Sequence, residues 1–113
     1  MTDISIPAKK QLEAYNNRDI DAFMQCYTED CVVEDGEGNI LMTGAAAMRE
    51  RYAKLFEESP ELHCKLVSRI VVGNYVLDEE NVTGSRGSSE MSHVVAVYRV
   101  TEDGLISHVR FLR

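Results

Sequence analysis

The chain has 113 residues, 44% of them hydrophobic, and a formal net charge of −7. That length makes one domain, residues 1–113, with a single core and room for one pocket. The negative charge would repel a phosphate backbone, and "RER" at 49–51 sits among glutamates, so nucleic-acid binding is excluded.

The opening stretch "MTDISIPAKK" has no apolar core of a signal peptide. No run approaches the roughly 18 apolar residues of a membrane span. Cys26, Cys31 and Cys64 are odd in number and irregular in spacing, as reduced thiols are. The expectation is a cytoplasmic protein with no membrane partner.

A first helix is predicted to start near Pro7, which suits the first helical position. Ala8, Leu12 and Tyr15 then share one face. "NNRD" breaks it, and Asp19 is a good N-cap for a second helix with Ile20, Phe23, Met24 and Tyr27 along one stripe. "CVVE" is a short strand leading into an acidic turn, and "NILMTG" is a second extended piece. A third helix is predicted over Ala45 to Glu58, with Met48, Tyr52, Leu55 and Phe56 buried and Ser59-Pro60 as its stop.

The rest reads as sheet. From Leu62 to Val72 the pattern has period two, with Leu62, Cys64, Leu66, Ser68, Ile70 and Val72 on the more apolar face. "GN" at 73–74 suits a hairpin turn, followed by a strand over about Tyr75 to Thr83. After "GSRGSS" comes "SHVVAVYRV", apolar on both faces like a central or interface strand. "EDG" at 102–104 turns the chain into a last strand, Leu105 to Leu112. The class is α+β, with three helices packed on one face of a mostly antiparallel sheet.

This order, together with "YNNRDIDAFMQCYTEDCVVED", "YVLDEENVTG" and "VVAVYRVTEDGLISHVRFL", resembles the nuclear-transport-factor-2-like superfamily, and within it the SnoaL-like and ketosteroid-isomerase-like branch. The similarity runs from about residue 8 to 112. It implies a cone: a strongly curved sheet wrapped around the helices, enclosing an apolar cavity. It also implies a homodimer. The family holds isomerases, cyclases, dehydratases, epoxide hydrolases and non-catalytic binders, so the fold does not decide the function.

The resemblance to ketosteroid isomerase places its base aspartate at Asp35 and its helix-opening glycine at Gly44. Tyr27 and Tyr52 match two tyrosines of that enzyme's hydrogen-bond network. Its two oxyanion donors do not carry over: their places fall at Gln11 and Ala96, with Tyr15 one helical turn after Gln11 as a partial substitute. Losing one such donor costs about 2.7–4 kcal/mol of transition-state stabilisation.

Each candidate also has a plainer reading. Asp35 before "GEG" suits a solvated turn. Asp78 and Glu80 alternate with Val76 and Val82; they line a cavity if that face looks inward, and otherwise lie on the rim or outer face. Facing inward, two like charges would raise at least one pKa, which makes a general acid. Tyr15, Tyr27, Tyr52 and Tyr98 stand at core-facing spacings, where tyrosines commonly fill space. His93 lies opposite the pocket face if Ala96 looks inward. "CYTEDC" has no partner pair for a metal, and "GSRGSS" lacks the lysine and spacing of a phosphate loop, so no cofactor is expected.

The leading expectation is therefore a dimeric cone that binds a small, largely apolar molecule. It would run cofactor-free proton abstraction next to a carbonyl, as an isomerase or cyclase does, with Asp35 as base and a desolvated, raised pKa. The alternative is a ligand-binding or interaction module without turnover. A third is a hydrolase acting on an epoxide or ester. His93, Val95, Val97 and Arg99 form the outer stripe through which the dimer would close.

Overall fold

A computed structural model describes residues 3–113. Helix α1 spans Ile6–Asn17 and α2 Ile20–Met24; strands β1, Tyr27–Asp35, and β2, Ile40–Thr43, precede helix α3, Ala45–Glu58. Strands β3, His63–Val72, and β4, Tyr75–Thr83, form a hairpin. A short 3-10 turn, Ser85–Gly87, leads to β5, Ser92–Val100, and β6, Ile106–Leu112. The six strands make one curved, unclosed sheet in the order β2-β1-β6-β5-β4-β3. All neighbours are antiparallel except β1 and β6. No helix among the described residues is long and apolar enough to cross a membrane.

The helix ends follow from local chemistry. Pro7 lies in the first turn of α1, and Arg18 ends that helix in a left-handed conformation at φ 54°. Asp19 caps α2 as expected, its carboxylate accepting from the Ala22 amide at 3.1 Å. Gly44 opens α3 at φ 90°, where a side chain would be strained. One expectation is corrected: α2 has only five residues, so Tyr27 begins β1 instead of extending the helical stripe. The Ile106 amide donates to the Cys26 carbonyl at 2.8 Å, and this sheet bond draws the chain out of the helix.

The core lies between the helices and the inner sheet face. Phe23 is its centre, with ring centroids of Tyr52, Tyr27 and Phe56 at 4.7, 5.0 and 5.6 Å. From the sheet, Val76, Ala96, Tyr98, Val100, Ile106 and Val109 pack against it. Asn16 ties α1 to the edge strand: its Nδ2 donates to the Cys64 carbonyl at 2.9 Å, and the Cys64 amide donates back to its Oδ1 at 2.7 Å. That clamp holds Cys64, and with it the start of β3, against the helices.

The period-two frame of β3 does not survive along its whole length. Leu66 pairs with Glu80, but Ser68 pairs with Glu79, so a bulge at Val67 shifts the register by one. Beyond it Arg69 and Val71 turn inward, opposite Asp78 and Val76, while Ser68, Ile70 and Val72 turn outward. The Ser68 hydroxyl donates to Glu79 on that outer face at 2.9 Å.

Candidate functional site

A cavity of about 270 Å³ opens between the helices and the concave sheet. Its apolar wall comes from Leu12, Phe23, Met42, Leu55, Val94 and Phe111. Its polar groups come from separate elements. Gln11 and Tyr15 stand on α1, Tyr27 opens β1, Tyr52 is on α3, Cys64 is on β3, Glu80 is on β4 and Tyr98 is on β5. The structure thus brings together six of the residues singled out in the sequence: Gln11, Tyr15, Tyr27, Tyr52, Glu80 and Tyr98.

Glu80 is the ionisable centre of this cavity. Strand β4 alternates so that Val76, Asp78 and Glu80 face inward, which leaves Glu80 only 6% exposed. Burial, and after it the Asp78 charge, push the Glu80 carboxyl up to about 7; a hydrogen bond from the Cys64 thiol and the Arg69 cation oppose the rise. Burial and the same carboxylate raise the Cys64 thiol, which keeps its proton. Burial raises all four tyrosines as well, so their hydroxyls are neutral donors. Tyr27 Oη donates to Gln11 Oε1 at 3.3 Å. Among the described residues the hydroxyls of Tyr15, Tyr52 and Tyr98 have no protein partner, which leaves them free to meet a ligand.

Three expectations are corrected. Asp35 does not line the cavity. Its Oδ1 accepts from the Glu37 and Asn39 amides at 2.9 Å each, and its Oδ2 accepts from Asn39 Nδ2 at 3.0 Å. Those bonds, led by Asn39, hold its pKa below the usual aspartate value, the opposite of the expected rise. Asp78 faces inward but is walled off from the cavity by its pairing with Arg69. Ala96 lies opposite Asp78 in the β4–β5 register and is fully buried in the core, away from the ligand space.

Sequence reasoning missed the lining residues Cys64, Arg51, Arg86 and Arg113. Cys64 had a signal, since the period-two pattern puts it on the apolar face of β3. The arginines come from the end of a strand, a wet helix face and a turn, where no periodicity marks them. No three His, Cys, Asp or Glu side chains among the described residues are grouped to hold a metal.

Carboxylate and phenols together have the chemistry that proton transfer needs. A buried acid with a pKa of about 7 can both take and return a proton at neutral pH. Neutral hydroxyls fixed in the cavity wall can stabilise negative charge that develops on a ligand oxygen.

An uncharacterized cystatin-fold protein from Novosphingobium aromaticivorans is 30% identical over the whole of both chains, with a TM-score of 0.90. An epoxide hydrolase from M. tuberculosis superposes with a TM-score of 0.83 at 18% identity, over 96% of this chain and 80% of the other. A candidate ketosteroid isomerase from Kribbella flavida gives 0.79 at 21% identity, over 96% of this chain and 76% of the other. The last two share the fold. No curated protein matches the chain. Residues 8–109 match the SnoaL-like domain, and the chain belongs to that family within the nuclear-transport-factor-2-like superfamily.

Proposed function

We propose that the protein binds a small, largely apolar carbonyl compound in this cavity and moves a proton on it without a cofactor, with Glu80 as the base. The observation that carries this reading is the position of Glu80: a buried carboxyl with a pKa of about 7 facing a ligand-sized space. Glu80 takes a proton from the carbon beside the carbonyl. The electron pair moves onto the carbonyl oxygen, where a tyrosine hydroxyl donates a hydrogen bond. Glu80 then returns the proton to carbon, at the same atom or at a conjugated one. The fold shared with a candidate ketosteroid isomerase supports this chemistry.

A reading as a binding module without turnover draws on one specific feature. Tyr27 and Gln11 bond to each other, so they do not converge as a donor pair on a ligand. The test is deuterium exchange into butyrophenone, followed by NMR, with wild type and Glu80→Gln. The proton-transfer reading expects exchange that rises as pH passes about 7 and falls at least about a hundredfold in the variant. Equal exchange in both proteins removes Glu80 as the base. Binding without exchange in either leaves the binding module.

The protein is further proposed to work as a homodimer closed through the outer sheet face. In support, Ile70, Leu77 and Val97 lie side by side across β3, β4 and β5 on that face.

A further inference from the structure

Three arginines meet the cavity from separate elements: Arg51 from α3, Arg86 from the 3-10 turn and Arg113 just past β6. They gather there although the chain carries a net charge of −7. All three are exposed residues, whereas Glu80 is buried. The cavity is therefore cationic at its mouth and carries its acid in the interior.

The arginines are not equally occupied. Arg86 Nε donates to Glu58 Oε1 at 3.1 Å and is neutralised by it. Arg51 Nη1 donates only to the Leu41 carbonyl, at 3.5 Å. The Arg113 guanidinium lies 5.6 Å from the centroid of the Phe111 ring, itself part of the cavity wall. Among the described residues neither Arg51 nor Arg113 is paired with a carboxylate. Both act on the cavity hydroxyls. Burial raises Tyr52, while Arg113 and, more weakly, Arg51 pull it back. Two unpaired guanidinium forks beside apolar walls fit the planar, bidentate geometry of a carboxylate. The volume, about 270 Å³, lies at the small end of ligand pockets and is too small for a nucleotide.

We propose that the ligand is a small organic acid: an apolar body whose carboxylate rests on Arg51 and Arg113 at the mouth while its carbonyl end reaches Glu80. The opposite orientation would set the ligand's carboxylate against Glu80. This rests on the reading above that the cavity is a small-molecule site, and it adds what the molecule carries.

The test compares 4-oxo-4-phenylbutanoate with its neutral amide, which has nearly the same shape, by calorimetric titration at low and high salt. Wild type should bind the acid at least about tenfold more tightly than the amide, and added salt should narrow the gap. In the double variant Arg51→Gln/Arg113→Gln, checked for folding by circular dichroism, the acid's affinity should fall to that of the amide. Equal affinities in wild type overturn the proposal. So does a preference that survives the double variant, or no binding of the acid at millimolar concentration. Exchange of the probes' protons beside the ketone, measured in the same samples, reports on Glu80 separately. A preference for the acid without exchange sinks the proton-transfer reading and keeps this one. Exchange with no preference does the reverse.

Discussion

Arg69 grips Asp78 with two parallel hydrogen bonds, Nε to Oδ1 at 2.7 Å and Nη2 to Oδ2 at 2.8 Å. The Asp78 side chain is completely buried, and that of Arg69 is 14% exposed. Taking two charges out of water is costly, and only a bidentate geometry of this kind offsets the cost. Breaking one side is therefore worse than removing both. Arg69→Leu should lower stability by about 3–5 kcal/mol, because Asp78 is left buried and unpaired. Adding Asp78→Val to that variant should recover most of the loss. Urea unfolding of the three proteins measures both steps. A double variant no more stable than Arg69→Leu would show that the pair is not a self-contained unit.

Glu80 ties stability to pH in a direction that can be stated. Its folded pKa of about 7 lies above the ordinary value of 4.5. The folded state therefore holds this proton more tightly than the unfolded state does. The contribution is fully present below about pH 4.5 and is lost as pH rises through about 7. At pH 8 the cost is about 3 kcal/mol, from about 1.4 kcal/mol for each unit. Glu80→Gln removes this slope. Relative to wild type, the variant should gain about 3 kcal/mol between pH 4 and pH 8, read from denaturant unfolding across that range. A stability difference independent of pH would mean that Glu80 titrates normally.

The same strand pair shows where sequence reasoning reaches its limit. The alternation of Val76, Asp78, Glu80 and Val82 was legible, and so were the ends of β4, β5 and α3. Which face looked inward was not, because an acid on an inner face and an acid on a rim give the same pattern. The bulge at Val67 was also illegible. One inserted residue reverses the facing of everything beyond it, and nothing in "KLVSRIVV" announces it. An unbroken alternation leaves Arg69 off the face that carries Cys64 and Leu66, whereas the bulge turns it inward to meet Asp78. Asp35 failed differently. Its place in the chain matches a base, but the short turn after it offers three donors, and the carboxylate turns to meet them.

That turn leads to a prediction of its own. Asp35→Ala should loosen the connection between β1 and β2, because the Glu37 and Asn39 amides lose their acceptor. Asp35 has a folded pKa below its ordinary value. Its stabilisation is present above about pH 4 and is lost as pH falls through the folded value. The variant should melt earlier than wild type at pH 7, converge with it in acid, and keep full ligand binding and proton exchange. A loss of exchange with the melting temperature unchanged would return Asp35 to the reaction.

The outer sheet face bears on assembly. Val67, Ile70, Val72 and Tyr75 are 41–60% exposed around the β3–β4 hairpin. Val97, beside Leu77 and Arg110, continues the apolar surface toward the sheet centre. Apolar area this continuous on an acidic protein favours self-association. Sedimentation at micromolar concentration should give a dimer, and Ile70→Glu/Val97→Glu should give a monomer that is still folded. A wild-type monomer at that concentration would refute the assignment.

Two glycines separate backbone strain from crowding near the cavity mouth. Gly38 and Gly84 both have positive φ, 85° and 78°. A Cβ at Gly38 meets nothing within 4 Å, so Gly38→Ala should cost only the left-handed penalty of about 1–2 kcal/mol. At Gly84 the same atom would lie 2.1 Å from the Glu61 carbonyl oxygen. Backbone there cannot yield as a flexible side chain would. Relief requires the chain to lift away, and the segment that lifts contains Ser85 and Arg86, both at the cavity. It also carries the Arg86 amide, which donates to the fully buried Ser59 hydroxyl at 2.8 Å. Gly84→Ala should therefore destabilise clearly more than Gly38→Ala and weaken ligand binding as well, while Gly38→Ala leaves binding untouched. Thermal unfolding and titration of both variants with 4-oxo-4-phenylbutanoate check this; equal losses of stability would mean that the close approach to Glu61 exerts no force on the fold.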